Sequence, residues 1–475
     1  STGETDGSNV SITTNNQAIS LSQATAGDAS QNVLYTKKGN VTVSSGKADT
    51  TIKGNADVAG ALQVSTTTGA INVGENAAKS AYTLKGNTVA LNSTTGGINL
   101  YGLATSESST LLQTTTGNIS VYGGLKTTKD DTNDVQVLTA NGDISLNKNT
   151  NLTDVTKVIE SAGDVTITET SDTSSGTIGI YGDVAASTTG NLAVTGKRGN
   201  ITIGADGTDK AVTLSGKKTD ISSINGNIDV HGTITSSTDT TVQTTGTGTI
   251  TVVGEVASTG TTTDDNVLVQ TANQAISLSQ KTAGATGENV LSATGGDVTI
   301  NSGTANTTIN GNATVKGNLG VTTTGEGTIT VGDGSNSYTL SGGKTDLSSV
   351  NGAIDVHGTI TSGSDTTVQT TGTGTITVVG EVASEGTQTG DDVLVQTSNQ
   401  AISLSQKTAG DTGENVLSTK TGAATVNSGT ADTTIKGNAT VAGALGVTTS
   451  TGAINVGDSD HKYTLSSTGS TTNIS

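Results

Sequence analysis

One phrase returns almost letter for letter along this chain: NQAISLSQ begins at Asn16, Asn273 and Asn399, and a looser copy, NGDISLNK, begins at Asn141. The spacings are 125, 132 and 126 residues. A second landmark keeps the same step, because TDISSINGNIDVHGTITSSTDTTVQTTGTGTITVVGEVAS from Thr219 reappears nearly unchanged from Thr345, 126 residues on. A third, YTL, stands at Tyr82, Tyr338 and Tyr463, with Val212 in place of the tyrosine in the second copy. A fixed long period marks a repeat architecture and overrides any reading of the chain as unrelated globules. It divides the sequence into the close of one unit (1–15), three complete units (16–140, 141–272 and 273–398) and a partial fourth (399–475). Both ends fall in mid-unit and Met is absent throughout, so the chain is expected to be a portion of a longer product with further units on either side.

Inside each unit runs a shorter beat, a turn residue followed by apolar, polar, apolar. In the third unit it reads Ile276-Ser277-Leu278, Val298-Thr299-Ile300, Ile329-Thr330-Val331, Ile354-Asp355-Val356 and Ile376-Thr377-Val378, restarting at Ile402, with its longest step between Val298 and Ile329. Such alternation puts Ile and Val on one face of a strand and Thr, Ser or Asp on the other. Weaker strands fill the intervals, at Asn306–Ile309, Ala313–Val315 and Thr366–Val368. Two or three short strands per step, separated by Gly, Asn or Asp corners, are what one coil of a parallel β-helix requires. The expected fold is therefore all-β, an elongated parallel β-helix (β-solenoid) of tandem units of about 125 residues, each of five or six coils. At about 22 residues and roughly 4.8 Å per coil, the chain would be on the order of 100 Å long.

Composition supports a thin body. Phe, Trp, Met, Cys and Pro are absent and Tyr occurs seven times, whereas a thick globular core draws much of its buried area from large side chains. Stacked coils need only small aliphatics in a narrow lumen, and 65 Gly residues supply corners. A string of immunoglobulin-like sandwiches is the competing architecture, since one such domain is of similar size, but its core usually carries a buried aromatic. No segment sustains a 3.6-residue apolar period over three turns, which excludes a helical fold. Low charged content and alternating Val, Ile and Leu argue against disorder.

The formal charge is −19, with Arg198 the only arginine, so the basic footprint of a nucleic-acid binder is missing. Without cysteine there is neither a disulfide nor a thiolate metal site. No apolar run approaches the roughly 20 residues of a membrane-spanning helix, and no signal peptide opens the chain. Calcium is the one ion that an acidic surface would suit, yet no EF-hand loop or run of glycine-rich calcium nonapeptides is present.

Three phrases, GDVTINSG (296–303), GNITIGADG (199–207) and TGAINVG (68–74 and 451–457), resemble the hemagglutinin repeats of filamentous-hemagglutinin-like bacterial surface adhesins. The resemblance extends over most of the chain, in style of wording and not through a diagnostic motif. It implies a right-handed parallel β-helix, export by a two-partner or autotransporter route, and a role in adhesion or biofilm formation. The superunit of about 125 residues and the lack of an exported N-terminal cap depart from that family.

Candidate chemistry is sparse. His231 and His357 are repeat equivalents in the same DVHGT phrase, and His461 stands apart. Asp229 with His231, and Asp355 with His357, lie two apart on a strand and so face one side, a pairing that suits a weak metal or acid–base site or a plain solvated face. A catalytic centre is seldom printed at equal intervals, and a solenoid lyase or hydrolase would need two carboxylates held across a sugar and aromatic platforms. No catalytic, cofactor-binding or metal-ligating residue is therefore assigned. Threonine-rich runs, Gly246–Val252 and Thr366–Thr370, fit an ice-binding array or simple outward strand positions, the latter preferred. Sequons at Asn9, Asn40, Asn92, Asn118, Asn151, Asn200, Asn306, Asn312, Asn438 and Asn473 are expected by chance in a chain this rich in Asn, Ser and Thr. The expected function is non-enzymatic: a structural stalk or fibre of a secreted, extracellular or cell-surface protein serving adhesion or biofilm formation. The alternative is a self-assembling subunit of a filament, sheath or surface layer. Its partners would be copies of itself, neighbouring repeats or a host or cell-surface receptor, with neither nucleic acid nor a membrane span involved.

Overall fold

The computed structural model describes the chain apart from residues 1, 3–6, 26, 27, 29, 76–81, 132, 133, 148–156, 174, 175, 206–210 and 286. Among the described residues there is no helix, and every strand pairing is parallel, as a β-solenoid of about 17 turns demands. Each turn carries three strand positions, here called the first, second and third faces. The chain divides into two compact units, Ser1–Ser237 and Thr238–Ser475.

In the first unit, eight turns run through the first-face partners Val10, Val41, Leu62, Val89, Thr110, Val135, Val165, Leu192 and Thr219. In the second, nine turns run through Thr240, Val267, Val298, Leu319, Thr345, Thr366, Val393, Ala424, Leu445 and Thr472. Turns differ in length, and the series of lengths begins again at Thr366. Val393, Ala424 and Leu445 then follow at the same intervals as Val267, Val298 and Leu319 follow Thr240. The 126-residue repeat is thus five turns, the lower of the two expected numbers.

Parallel pairing without shift stacks like on like. On the second face Ile276, Thr307, Ile329, Ile354, Ile376 and Ile402 lie in one inward column, and Leu278, Ile309, Val331, Val356, Val378 and Leu404 lie in the next. All are at most 1% exposed. Each fully buried aliphatic is worth about 1.5–3 kcal/mol, so a lumen of Val, Ile and Leu sustains the fold without Phe or Trp. Two tyrosines do enter the interior, Tyr82 and Tyr338, at the start of the third face.

This column corrects the inner beat read from the sequence. Val298-Thr299-Ile300 belongs to the first face, paired with Val267–Gln270, and the weaker Thr307-Thr308-Ile309 takes its place under Ile276. The longest second-face step accordingly falls between Ile276 and Thr307, not between Val298 and Ile329. Thr307 can occupy a core position because its hydroxyl donates to Ser302 Oγ at 2.9 Å and so is itself satisfied. Thr345 and Thr366 do the same across the lumen of their own turns, donating to the carbonyls of Thr361 (2.7 Å) and Ala383 (2.5 Å).

Two corners explain most of the glycine. Between the first and second faces, the last inward Ser or Thr of the strand closes the turn: Thr323, Thr370 and Thr114 donate to the carbonyls of Gly327 (2.8 Å), Gly374 (2.6 Å) and Gly117 (2.5 Å). The accepting glycines stack turn on turn so closely that a Cβ on Gly352 would collide with the carbonyl oxygen of Gly327, and one on Gly374 with that of Gly352. Between the second and third faces, strands such as Ile376–Ser384 run on without a loop and bend at Gly380, whose φ of 143° suits glycine alone.

Candidate functional site

The first and second faces begin at a Gly, Asn or Asp corner, and there the structure shows a system of bonds that the sequence reading missed. An Asn or Asp side chain at the start of one strand accepts, through Oδ1, the backbone N–H of the equivalent residue one turn later. Asp239, Asn266 and Asp297 form such a ladder, accepting from Asn266 (3.1 Å), Asp297 (2.8 Å) and Asn318 (2.7 Å). Asn9 and Asn40 do so toward Asn40 and Ala61, both at 2.8 Å, and Asn118 and Asp143 toward Asp143 (2.9 Å) and Thr177 (2.8 Å). The third face uses it too, with Asn55, Asn312 and Asn438 accepting from Thr83 (2.9 Å), Thr339 (2.9 Å) and Thr464 (3.0 Å). Asx side chains satisfy stray backbone donors in this way wherever a strand ends in a turn.

Seven of the ten sequon asparagines, Asn9, Asn40, Asn118, Asn200, Asn306, Asn312 and Asn438, belong to this ladder. Their recurrence therefore has a structural cause beyond composition: the ladder needs Asn, and the alternating strand that follows usually places Ser or Thr two positions on. Asn92 points outward from its strand, Asn473 is exposed, and Asn151 lies outside the described residues.

The last residue of NQAISLSQ has a role of its own. Gln280 Nε2 donates to the carbonyls of Ala285 (2.8 Å) and Glu288, and Gln406 Nε2 to those of Asp411 (2.6 Å) and Glu414, clamping the excursion between the second and third faces. Gln23 clamps the same loop in the first copy through Asp28 (2.7 Å) and Gln31. The YTL tyrosines hold the loop from the other side, since Gly284 and Gly410 donate their N–H groups to Tyr338 Oη (3.2 Å) and Tyr463 Oη (3.1 Å). Two landmark phrases well separated in the chain thus meet at one loop. We expect Gln406→Leu, which leaves two carbonyls only the longer bonds from Asn438 Nδ2 (3.4 and 3.3 Å) at a cost of about 1–3 kcal/mol, to speed trypsin cleavage after Lys407 by tenfold or more. Far-UV circular dichroism should be unchanged. Unaltered cleavage would contradict the clamp.

The histidines are scattered. His357 lies on the outer second face with Nε2 3.6 Å from Asp355 Oδ1, and its Cβ and carbonyl oxygen lie against Gly332. His231 occupies the matching place against Gly204. His461 belongs to a loop cap: its backbone N–H (2.8 Å) and ring Nδ1 (3.2 Å) meet Asp458 Oδ1, and the backbone donors of Asp460 and His461 hold the Asp458 carboxyl below its ordinary range. Among the described residues no three His, Cys, Asp or Glu side chains converge as a metal site. An open recess of about 440 Å³ lies between Ser20–Ala24 and Gln31–Val33, and none of its lining side chains is titratable. The threonine run Thr366–Thr370 is no outward array, because Thr366 and Thr370 point into the lumen beside Val368.

Burial pushes up the carboxyls of Asp220 and Asp346, repeat equivalents 126 residues apart, against the opposing pull of Lys218 and Lys344. Asp134, fully buried beside Asp130, Asp131 and Asp164, is pushed up to about 6, by desolvation above all. Ion pairs such as Lys53–Glu75 (2.7 Å) and Lys126–Glu160 (3.0 Å) join neighbouring turns at the surface, where each adds at most about 1 kcal/mol. No helix of the described residues is long and apolar enough to cross a membrane. No family model, curated protein or solved structure matches the chain.

Proposed function

We propose that this chain is a structural stalk or fibre segment of a secreted cell-surface protein, serving adhesion or biofilm formation. The observation that supports this most is the division of labour within the repeat. Five turns are locked to one another by lumen columns, hydroxyl-closed corners and Asx ladders that recur at the same positions. Sequence differences between otherwise near-identical copies include the loops after the second face, as in GDGSNS against GDSDHK, and those after the third, as in STGTTTDDN against SEGTQTGDD. A uniform scaffold with variable loops suits spacing and presentation. On this reading the chain has no catalytic role, it acts outside the cell, and its partners are neighbouring repeats or a surface receptor.

A self-assembling filament, sheath or surface-layer subunit is the second reading. It is favoured by Ile224 and Val350, repeat equivalents that are 41% and 37% exposed and so offer an apolar contact in each of two successive repeats. Electron microscopy of the purified protein separates the two: dispersed rods support the stalk, ordered polymers the subunit, and compact particles or flexible beads would overturn both. Imaging of the native cell surface with a label on the repeat then distinguishes stalk from sheath.

A further inference from the structure

An aspartate just ahead of a first-face strand closes the loop before it in three places, at Asp134, Asp265 and Asp391. Asp134 Oδ1 accepts the Asp131 N–H at 3.0 Å, Asp265 Oδ2 that of Thr262 at 2.7 Å, and Asp391 Oδ2 that of Gln388 at 2.6 Å. In two of the three, a glycine five residues earlier, Gly260 or Gly386, lies directly against the carboxyl, and the residue four earlier is Thr261 or Thr387.

The first copy differs at both places. Lys129 replaces the glycine and Asp130 the threonine. The Asp134 carboxyl is turned instead onto Gly163 of the next turn, where a Cβ would meet Asp134 Oδ2 and lie 2.8 Å from Asp130 Oδ1. Asp134 is 0% exposed and its Oδ2 has no hydrogen-bond partner, whereas neither of the other two aspartates carries a buried orphan oxygen. The buried Asp134 carboxyl and the exposed Asp130 carboxyl therefore converge on one spot.

Among the described residues nothing cationic relieves them. From the same loop come Asp130 and Asp131, while Lys129 is drawn to Glu107 of the preceding turn at 2.5 Å. The next turn contributes Asp164, whose Oδ1 takes the Asn191 N–H at 2.7 Å, and the turn beyond contributes only the Thr189 hydroxyl, which donates to Asp130 Oδ2 at 2.7 Å.

We propose that Asp134 and Asp130 form a proton-controlled latch: Asp134 keeps its proton, donates it from Oδ2 to Asp130 Oδ1, and holds the turn closed, and loss of that proton loosens this turn alone. The sign follows from the direction of the shift. A buried carboxyl with a folded-state value of about 6 and an exposed value of 3.8 binds its proton more tightly when the turn is closed. Its contribution is complete below about pH 4, falls through pH 4–6, and is gone above about pH 7.

Hydrogen exchange of the full chain, corrected for intrinsic rates, tests this at the Asp131 and Val135 amides. Between pH 5 and pH 7 their protection should fall about tenfold, while the Thr262 and Gln388 amides, at the matching turns, stay level. Asp130→Thr, the type of residue found in both other copies, should reduce the change, and Asp134→Asn should abolish it. Equal protection at both pH values in the wild-type chain would overturn the latch. So would recovery of protection at pH 7 on adding millimolar calcium, which would make the pair a cation site.

Discussion

Gly352→Val should unfold the turns around it, with a loss of at least about 3 kcal/mol of local stability, while Gly363→Val in the same repeat should be nearly silent. The contrast comes from what a Cβ meets. At Gly352 it would run into the carbonyl of Gly327 and come within 2.8 Å of that of Glu326, all backbone and unable to swing away. At Gly363 its nearest neighbour is the Gly343 carbonyl oxygen at 3.6 Å, an ordinary contact. Moving the corner apart would also break the alignment in which the Thr323 and Ser349 hydroxyls lie 2.9 Å from each other and 2.8 and 3.2 Å from the Gly327 carbonyl oxygen, their two protons shared among these contacts. Urea unfolding followed by circular dichroism, with hydrogen exchange from Leu319 to Ile376, checks the pair. Similar midpoints for both variants would show that the close-packed corner does not bear on stability.

The second large effect concerns register. Deleting Asp355 alone should cost several kcal/mol, because a one-residue slip in a period-two strand sends the inward set outward. Strand Ile354–Ser362 pairs in step with both neighbours, from Ile354 under Ile376 to Ser362 under Ser384, so either Ile354 or Val356 must leave the lumen. Excising the whole segment from Thr345 to Asp365 should cost far less. It removes one complete turn, and Lys344 then runs into Thr366, which fills the place of Thr345 over Leu319. A larger deletion that is milder than a single-residue one is expected of stacked turns and of few other folds. Comparable losses of strand signal in the two variants would contradict it.

Much of this architecture was legible because the lumen uses few letters. Ile-x-Val after a corner marks the second face at Ile354 and Ile376, and a step of 125–132 residues carries every landmark. What misled was threonine. Thr366 and Thr370 read as outward residues but, like Thr307, occupy inward positions, since a β-branched side chain with its hydroxyl satisfied locally fills nearly the space of valine. That ambiguity moved Val298–Ile300 onto the wrong face. The Asx ladder was hidden for a related reason: its acceptor and donor lie a full turn apart, and no local window joins Asp297 to Asn318 or Asp143 to Thr177. Gln280 and Gln406 stood in plain view at the end of the most repeated phrase, yet their partners are carbonyls five and eight residues on, which have no letter of their own. The Asp134–Asp130 pair emerges only when the copies are laid on the structure, because Asp130 matters by what it replaces.

One 126-residue repeat is five stacked turns, from Thr240 to Thr366. Thr251 and Thr377 are outward positions of the second face joined through Ser277, Thr308, Thr330 and Asp355, one residue per turn. With no native cysteine, spin labels on Thr251→Cys and Thr377→Cys report on that pair alone. Double electron–electron resonance should give a single narrow distribution centred near about 24 Å, five turns at roughly 4.8 Å. A broad distribution, or a centre displaced by roughly 10 Å or more, equivalent to two turns, would contradict the five-turn repeat.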